Sequence, residues 1–129
     1  MANELILIIE DNDKNRKLVR DVLQVKGYAT IESETAEAGL ELAAEHSPAL
    51  ILMDIQLPGM DGITAMKQLK ADPKTRRIPV IAITASAMTH NRQTMLAEGF
   101  DGYQTKPISL KGFLAEVQRV LVAGGSSEE

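Results

Sequence analysis

The sequence predicts an α/β fold: a doubly wound, five-stranded parallel sheet with helices on both faces. Three observations predict it. Short strand-like segments, most of them apolar, alternate five times with segments of helical period. Gly27, Pro48, Pro79 and Gly99 fall where these segments stop or start. Five βα units in a row then imply parallel pairing through right-handed crossovers. The 129 residues make one domain and are too few for two.

The elements follow in order. Leu5 to Ile9 is a continuous apolar run with three isoleucines, short enough for a strand. Between Lys14 and Lys26, Leu18, Val22 and Val25 recur at helical spacing, and Gly27 stands where a C-terminal glycine belongs. Tyr28 to Glu32 reads as the second strand. Thr35 caps a helix running to about His46, with Leu40, Ala43 and Ala44 on one face, and Pro48 ends it. Leu50 to Met53 is the third strand. Pro58, Gly59 and Gly62 mark a tight loop, and Ile63, Met66 and Leu69 form the face of a short helix. Val80 to Ile83 is the fourth strand. A weaker helical segment spans about Met88 to Glu98 and stops at Gly99. Asp101 to Thr105 is a fifth, more polar strand. After Pro107, Leu110, Leu114, Val117 and Leu121 mark the last helix. Residues 1–123 are expected to form the domain, and 124–129 a flexible polar tail.

Strand composition orders the sheet. Parallel strands buried on both faces are near-continuously apolar, as strands 1, 3 and 4 are. Strand 2 alternates and strand 5 is half polar, so both belong at edges. The flavodoxin-like order 2-1-3-4-5 places them there and puts the topological switch point between strands 1 and 3. Ligands of such sheets bind at the carboxyl ends of the strands near that switch.

Composition narrows the function. The chain is 44% hydrophobic and 25% charged, as in a globular protein. With 14 Lys plus Arg against 18 Asp plus Glu, the net charge of −4 argues against a nucleic-acid partner. Two Tyr, two Phe and no Trp give no base-stacking platform. The absence of Cys excludes disulfides, thiolate metal sites and Cys nucleophiles. No apolar run is long enough to span a membrane, and the start Met1-Ala2-Asn3-Glu4 lacks the basic residues of a signal peptide, so a cytoplasmic location is expected.

The predicted carboxyl rim carries the chemistry. Strand 1 runs into Glu10-Asp11, strand 3 into Asp54, strand 4 into Thr84, and strand 5 into Thr105-Lys106-Pro107. Clustered carboxylates raise one another's pKa unless a cation relieves them. An oxygen-only donor set favours a hard cation, with Mg²⁺ the first choice. A carboxylate beside Mg²⁺, Lys and Thr suits nucleophilic attack on phosphorus, the metal and Lys106 neutralising the phosphoryl oxygens. Taken singly, each group has a plainer role: Asn12 and Asp13 as helix caps, Thr84 likewise, Lys106 as a solvated lysine. Convergence on one rim is what favours the chemical reading.

The same residues carry a family resemblance. Ile8-Ile9-Glu10-Asp11-Asn12, Leu52-Met53-Asp54 through Asp61-Gly62, Ile83-Thr84-Ala85 and Tyr103-Gln104-Thr105-Lys106-Pro107 resemble the motifs of response-regulator receiver domains of two-component signalling, the CheY-like superfamily. The resemblance spans about Leu5 to Val122. Within the family the chain is similar to single-domain DivK-like regulators and to receivers of hybrid histidine kinases. The resemblance implies that Asp54 accepts a phosphoryl group from a histidine kinase or a histidine phosphotransfer protein. Glu10, Asp11, Asp54 and the backbone carbonyl of Gln56 would hold Mg²⁺, and Lys106 would contact the phosphoryl group, its bond to Pro107 being cis. Thr84 would swing toward the phosphoryl group and Tyr103 would turn inward with it. Ala85 would leave the phosphorus accessible, and Gln56 and Ser86 occupy positions that tune phosphate lifetime. A downstream protein target and a monomer or weak dimer are implied as well.

Competing readings stay open. A haloacid-dehalogenase-type phosphohydrolase needs a second Asp two positions after the nucleophile, where this chain has Gln56. A flavodoxin-type FMN carrier needs a Ser/Thr/Gly-rich loop after strand 1, where this chain has Glu10-Asp11-Asn12-Asp13. A pseudo-receiver scaffold is countered by the intact acid set. No output domain is read, so the chain is either a stand-alone regulator or a receiver fragment of a hybrid kinase. His46 and His90 read as surface residues, Lys74 to Arg77 as a solvated loop, and Met53, Met60, Met66, Met88 and Met95 as fillers of core or loops.

Overall fold

The computed structural model describes residues 4–127. Five strands and five helices alternate: β1 (Leu5–Ile9), α1 (Asp13–Val25), β2 (Ala29–Ser33), α2 (Ala36–His46), β3 (Leu50–Asp54), α3 (Gly62–Ala71), β4 (Val80–Thr84), α4 (Arg92–Glu98), β5 (Gly102–Thr105) and α5 (Leu110–Ser127). All strand pairs are parallel, in the order β2-β1-β3-β4-β5. The order read from strand composition is the observed one. β1, β3 and β4 are buried along nearly their whole length, whereas β2 and β5 are partly open at the edges.

Alternation along each strand divides the core in two, because successive side chains of a strand point to opposite faces. Ile6, Ile8, Leu50 and Leu52 pack with Val19 and Leu23 of α1 and with Phe113 and Val117 of α5. Leu7, Ile9, Ile51 and Met53 pack on the other face with Ala43 of α2, Met66 and Leu69 of α3 and Met95 of α4. Among the described residues no helix is long and apolar enough to cross a membrane.

Local chemistry sets the helix ends. Asn12, Thr35, Asp61 and Asn91 each accept a backbone N–H three residues on, the usual device for an N-terminus. The last of these corrects the sequence reading: α4 begins at Arg92, not near Met88. Residues 85–91 form instead a turn and bends, closed by a hydrogen bond from His90 N–H to the Ser86 carbonyl (2.8 Å), and Met88 is 96% exposed. α5 is assigned through Ser127 and so takes in Gly124–Ser127 of the expected tail, while Glu128 and Glu129 lie outside the described residues.

One buried charge fastens β5 to α5. Glu116 Oε2 accepts the Tyr103 N–H (2.8 Å) and a hydrogen bond from Arg119 (2.9 Å). Burial alone would raise the Glu116 pKa, but those two bonds and the charges of Arg119 and Arg92 hold it below the ordinary 4.5. The depressed folded value means that this stabilisation is present above the unfolded pKa and lost as pH falls through the folded one. Glu116→Gln is expected to cost about 1 kcal/mol in urea unfolding at neutral pH and nothing below the folded value. An equal cost at both pH values would place the effect in packing rather than charge.

Candidate functional site

The sheet delivers the site. β1 and β3 are neighbours, and each ends in acid at the point where the chain's direction around the sheet reverses. Glu10 follows β1 and is 4% exposed, Asp54 closes β3 at 2%, and Thr84 closes β4 at 0%. Asp11 is exposed beside them. Carboxylate oxygens of Glu10, Asp11 and Asp54 lie within 4.8 Å of one another. Lys106, just past β5, crosses the rim to meet them: its Nζ is 3.0 Å from Glu10 Oε1 and 3.1 Å from Asp54 Oδ2. The Lys106–Pro107 bond is cis, as the resemblance implies.

Backbone groups complete the hydrogen bonding. Gln56 N–H donates to Asp54 Oδ1 (3.2 Å), and Asn12 N–H donates to Glu10 Oε2 (3.1 Å). Gly62 allows α3 to start directly against β3, its N–H donating to the Ile55 carbonyl at 3.0 Å.

Three carboxylates share one ammonium, and the imbalance shows in their electrostatics. Burial, reinforced by the charge of Asp54, pushes the Glu10 carboxyl up from 4.5 to about 7, against the hydrogen bonds from Lys106 and the Asn12 N–H. Burial works against the Lys106 ammonium too, yet its hydrogen bond to Glu10 and the charges of Asp54 and Glu10 prevail and raise its pKa. An all-oxygen, electron-rich donor set with an uncompensated carboxylate fits a hard divalent cation. Glu10, Asp11 and Asp54 are the residues placed to hold one.

The Glu10 shift predicts a pH dependence. Because the folded value lies above the unfolded one, the native state holds an extra proton between about pH 4.5 and 7. Stability therefore falls as pH rises through that window. In chelator, the wild type is expected to lose on the order of 1–3 kcal/mol between about pH 5 and 8 relative to Glu10→Gln, as read by urea unfolding. Parallel profiles would mean that Glu10 is charged throughout.

All the rim residues named from sequence therefore meet at one end of the sheet, although they differ in their partners. Tyr103, expected to turn inward together with Thr84, is buried here, with the Arg92 guanidinium 5.5 Å from its ring centre. Two residues at the rim were not foreseen. Arg16 of α1 donates to the Glu10 carbonyl (2.8 Å) and to Glu32 (3.1 Å), pinning the turn that carries the acids. His90, read as a surface residue, places Nδ1 3.4 Å from Thr84 Oγ1. The available signal was its place one residue before the capping Asn91, which folds it back toward the end of β4.

A doubly wound sheet with a lysine-bridged acid cluster at its switch point is the arrangement expected of a receiver domain. Residues 6–118 match the response regulator receiver domain, and the chain belongs to that family. It is 44% identical over 116 residues to the polar-differentiation response regulator DivK of Brucella ovis, covering 90% of this chain and 94% of that one. It also resembles the receiver domain of sensor histidine kinase PA1611 of Pseudomonas aeruginosa, described with a magnesium ion coordinated in its active-site cleft. That match has 33% identity, a TM-score of 0.80, and coverage of 93% and 95% of the two chains. The chemotaxis protein CheY4 of Vibrio cholerae shares the fold, with a TM-score of 0.84 at 24% identity over 92% of this chain and 99% of that one. The molecule is thus a DivK-like receiver domain of two-component signalling.

Proposed function

We propose that Asp54 is the phosphoacceptor and that the domain passes a signal by taking a phosphoryl group from a phosphohistidine. The observation that carries this reading is the placement of Asp54: buried at the switch point, hydrogen-bonded to Lys106, and beside Glu10 and Asp11. An Asp54 carboxylate oxygen attacks phosphorus, the P–N bond to the donor imidazole breaks, and that nitrogen leaves with the electron pair. Lys106 meets the charge on the phosphoryl oxygens. Glu10, Asp11, Asp54 and the Gln56 carbonyl would hold Mg²⁺, which would supply the remaining charge neutralisation when bound. Thr84 and Tyr103 then respond to the new group, and a protein target reads the altered face.

The donor is a histidine kinase or a histidine phosphotransfer protein. The same site takes phosphoryl groups from small donors unaided and slowly hydrolyses the product. Residues 1–123 act as the receiver unit, with 124–129 as a tail, in a cytoplasmic monomer or weak dimer. The test is intact mass after incubation with acetyl phosphate, with and without Mg²⁺. One added phosphoryl group, present only with Mg²⁺, is the expected result. No uptake from acetyl phosphate or from a phosphorylated histidine phosphotransfer protein would overturn it.

A further inference from the structure

Thr84 is fully buried, and a buried hydroxyl needs an acceptor for its hydrogen. Its oxygen already accepts the Ser86 N–H at 3.0 Å. Among the described residues its other hydrogen-bond partner is His90 Nδ1, at 3.4 Å. Giving the Thr84 hydrogen an acceptor assigns that role to Nδ1 and the ring's own hydrogen to Nε2. Tyr103 converges on the same residue, its hydroxyl donating to the His90 backbone carbonyl at 2.7 Å. The hydrogen bond from His90 N–H to the Ser86 carbonyl (2.8 Å) closes the turn that brings the ring back over the end of β4.

We propose that His90 is a positioning residue for the switch, its ring holding the Thr84 hydroxyl in the resting orientation while its carbonyl holds the buried Tyr103. This rests on the receiver reading and adds the regulation of that site. To turn toward a phosphoryl group on Asp54, Thr84 must give up its bond to Nδ1. Thr84 and Tyr103 are then coupled through one loop residue, and the strength of the Nδ1 contact sets the bias of Thr84 against turning. The ring and the carbonyl can be separated by mutation, because His90→Ala deletes the acceptor for Thr84 and leaves the carbonyl to Tyr103.

The test combines a spectroscopic and a kinetic readout. In wild-type protein at mildly alkaline pH, long-range ¹H–¹⁵N correlation of the imidazoles is expected to show His90 as the Nε2–H tautomer. With acetyl phosphate and Mg²⁺, His90→Ala is expected to take up phosphoryl groups about two- to ten-fold faster, the effect of one lost hydrogen bond. His90→Asn, whose amide oxygen can stand in for Nδ1, is expected to return to within about two-fold of wild type. An Nδ1–H tautomer, or equal rates for wild type and His90→Ala, would overturn the inference. If the wild type takes up no phosphoryl group from acetyl phosphate or from a phosphorylated histidine phosphotransfer protein, the phosphoacceptor reading fails, and the tautomer alone decides the role of His90.

Discussion

Asp54→Asn is expected to take up no phosphoryl group under conditions that modify the wild type fully, and to remain folded. The amide has the shape of the carboxylate but neither its charge nor its nucleophilic lone pairs. The amide oxygen of this variant can still accept from the Gln56 N–H or from Lys106, the two donors that Asp54 serves, so packing survives. Removing a buried negative charge also relieves Glu10, whose carboxyl is pushed up partly by Asp54. Thermal unfolding in chelator should therefore show a variant no less stable than wild type. The combination matters, since a variant that lost phosphorylation by unfolding would say nothing about the acceptor. Equal incorporation into Asp54→Asn, mapped to Glu10 or Asp11, would move the acceptor to another carboxylate of the cluster.

Gly62→Ala is expected to cost about 3 kcal/mol or more, the range of severe overpacking. A Cβ at position 62 would fall well inside contact distance of the Asp54 carbonyl oxygen and 2.9 Å from the Ile55 Cα. Both are backbone atoms at the end of a central strand, and they cannot rotate aside. Gly39→Ala is the instructive comparison. Its Cβ also collides, but with Cδ1 and Cγ1 of the Ile9 side chain, which can shift more readily than backbone, so the cost should be smaller. Urea unfolding of the two variants side by side checks the difference. Equal costs would show that the strand end at Asp54 yields as readily as a side chain.

Much of this was written in the sequence, and the exceptions have physical reasons. β1, β3 and β4 were legible because strands buried on both faces leave no room for polar residues, and the edges were legible because β2 and β5 do. Glu10, Asp11, Asp54, Thr84 and Lys106 were legible because each stands at a strand end, where chain order and sheet order together fix the location. The start of α4 was not. Ser86 to His90 carries no strong breaker, and the cap that decides the boundary, Asn91, is one polar residue in a polar stretch. Missing that boundary hid His90, because a helix from Met88 would not bring its ring back to Thr84. Arg16 was hidden differently: it lies on a helix face where an arginine is ordinarily solvated, and only the fold places the Glu10 carbonyl and Glu32 within its reach.

The divided core has an evolutionary consequence. Ile8 and Ile9 are adjacent in the chain but belong to separate packing layers. Tyr103 packs with Met95 and the α2–α3–α4 layer, whereas Phe113, Val117 and Leu23 lie behind the sheet. Descendants of this chain can therefore trade apolar residues behind the sheet to suit a warmer or colder cell, provided that Glu116 keeps its bond to the Tyr103 N–H.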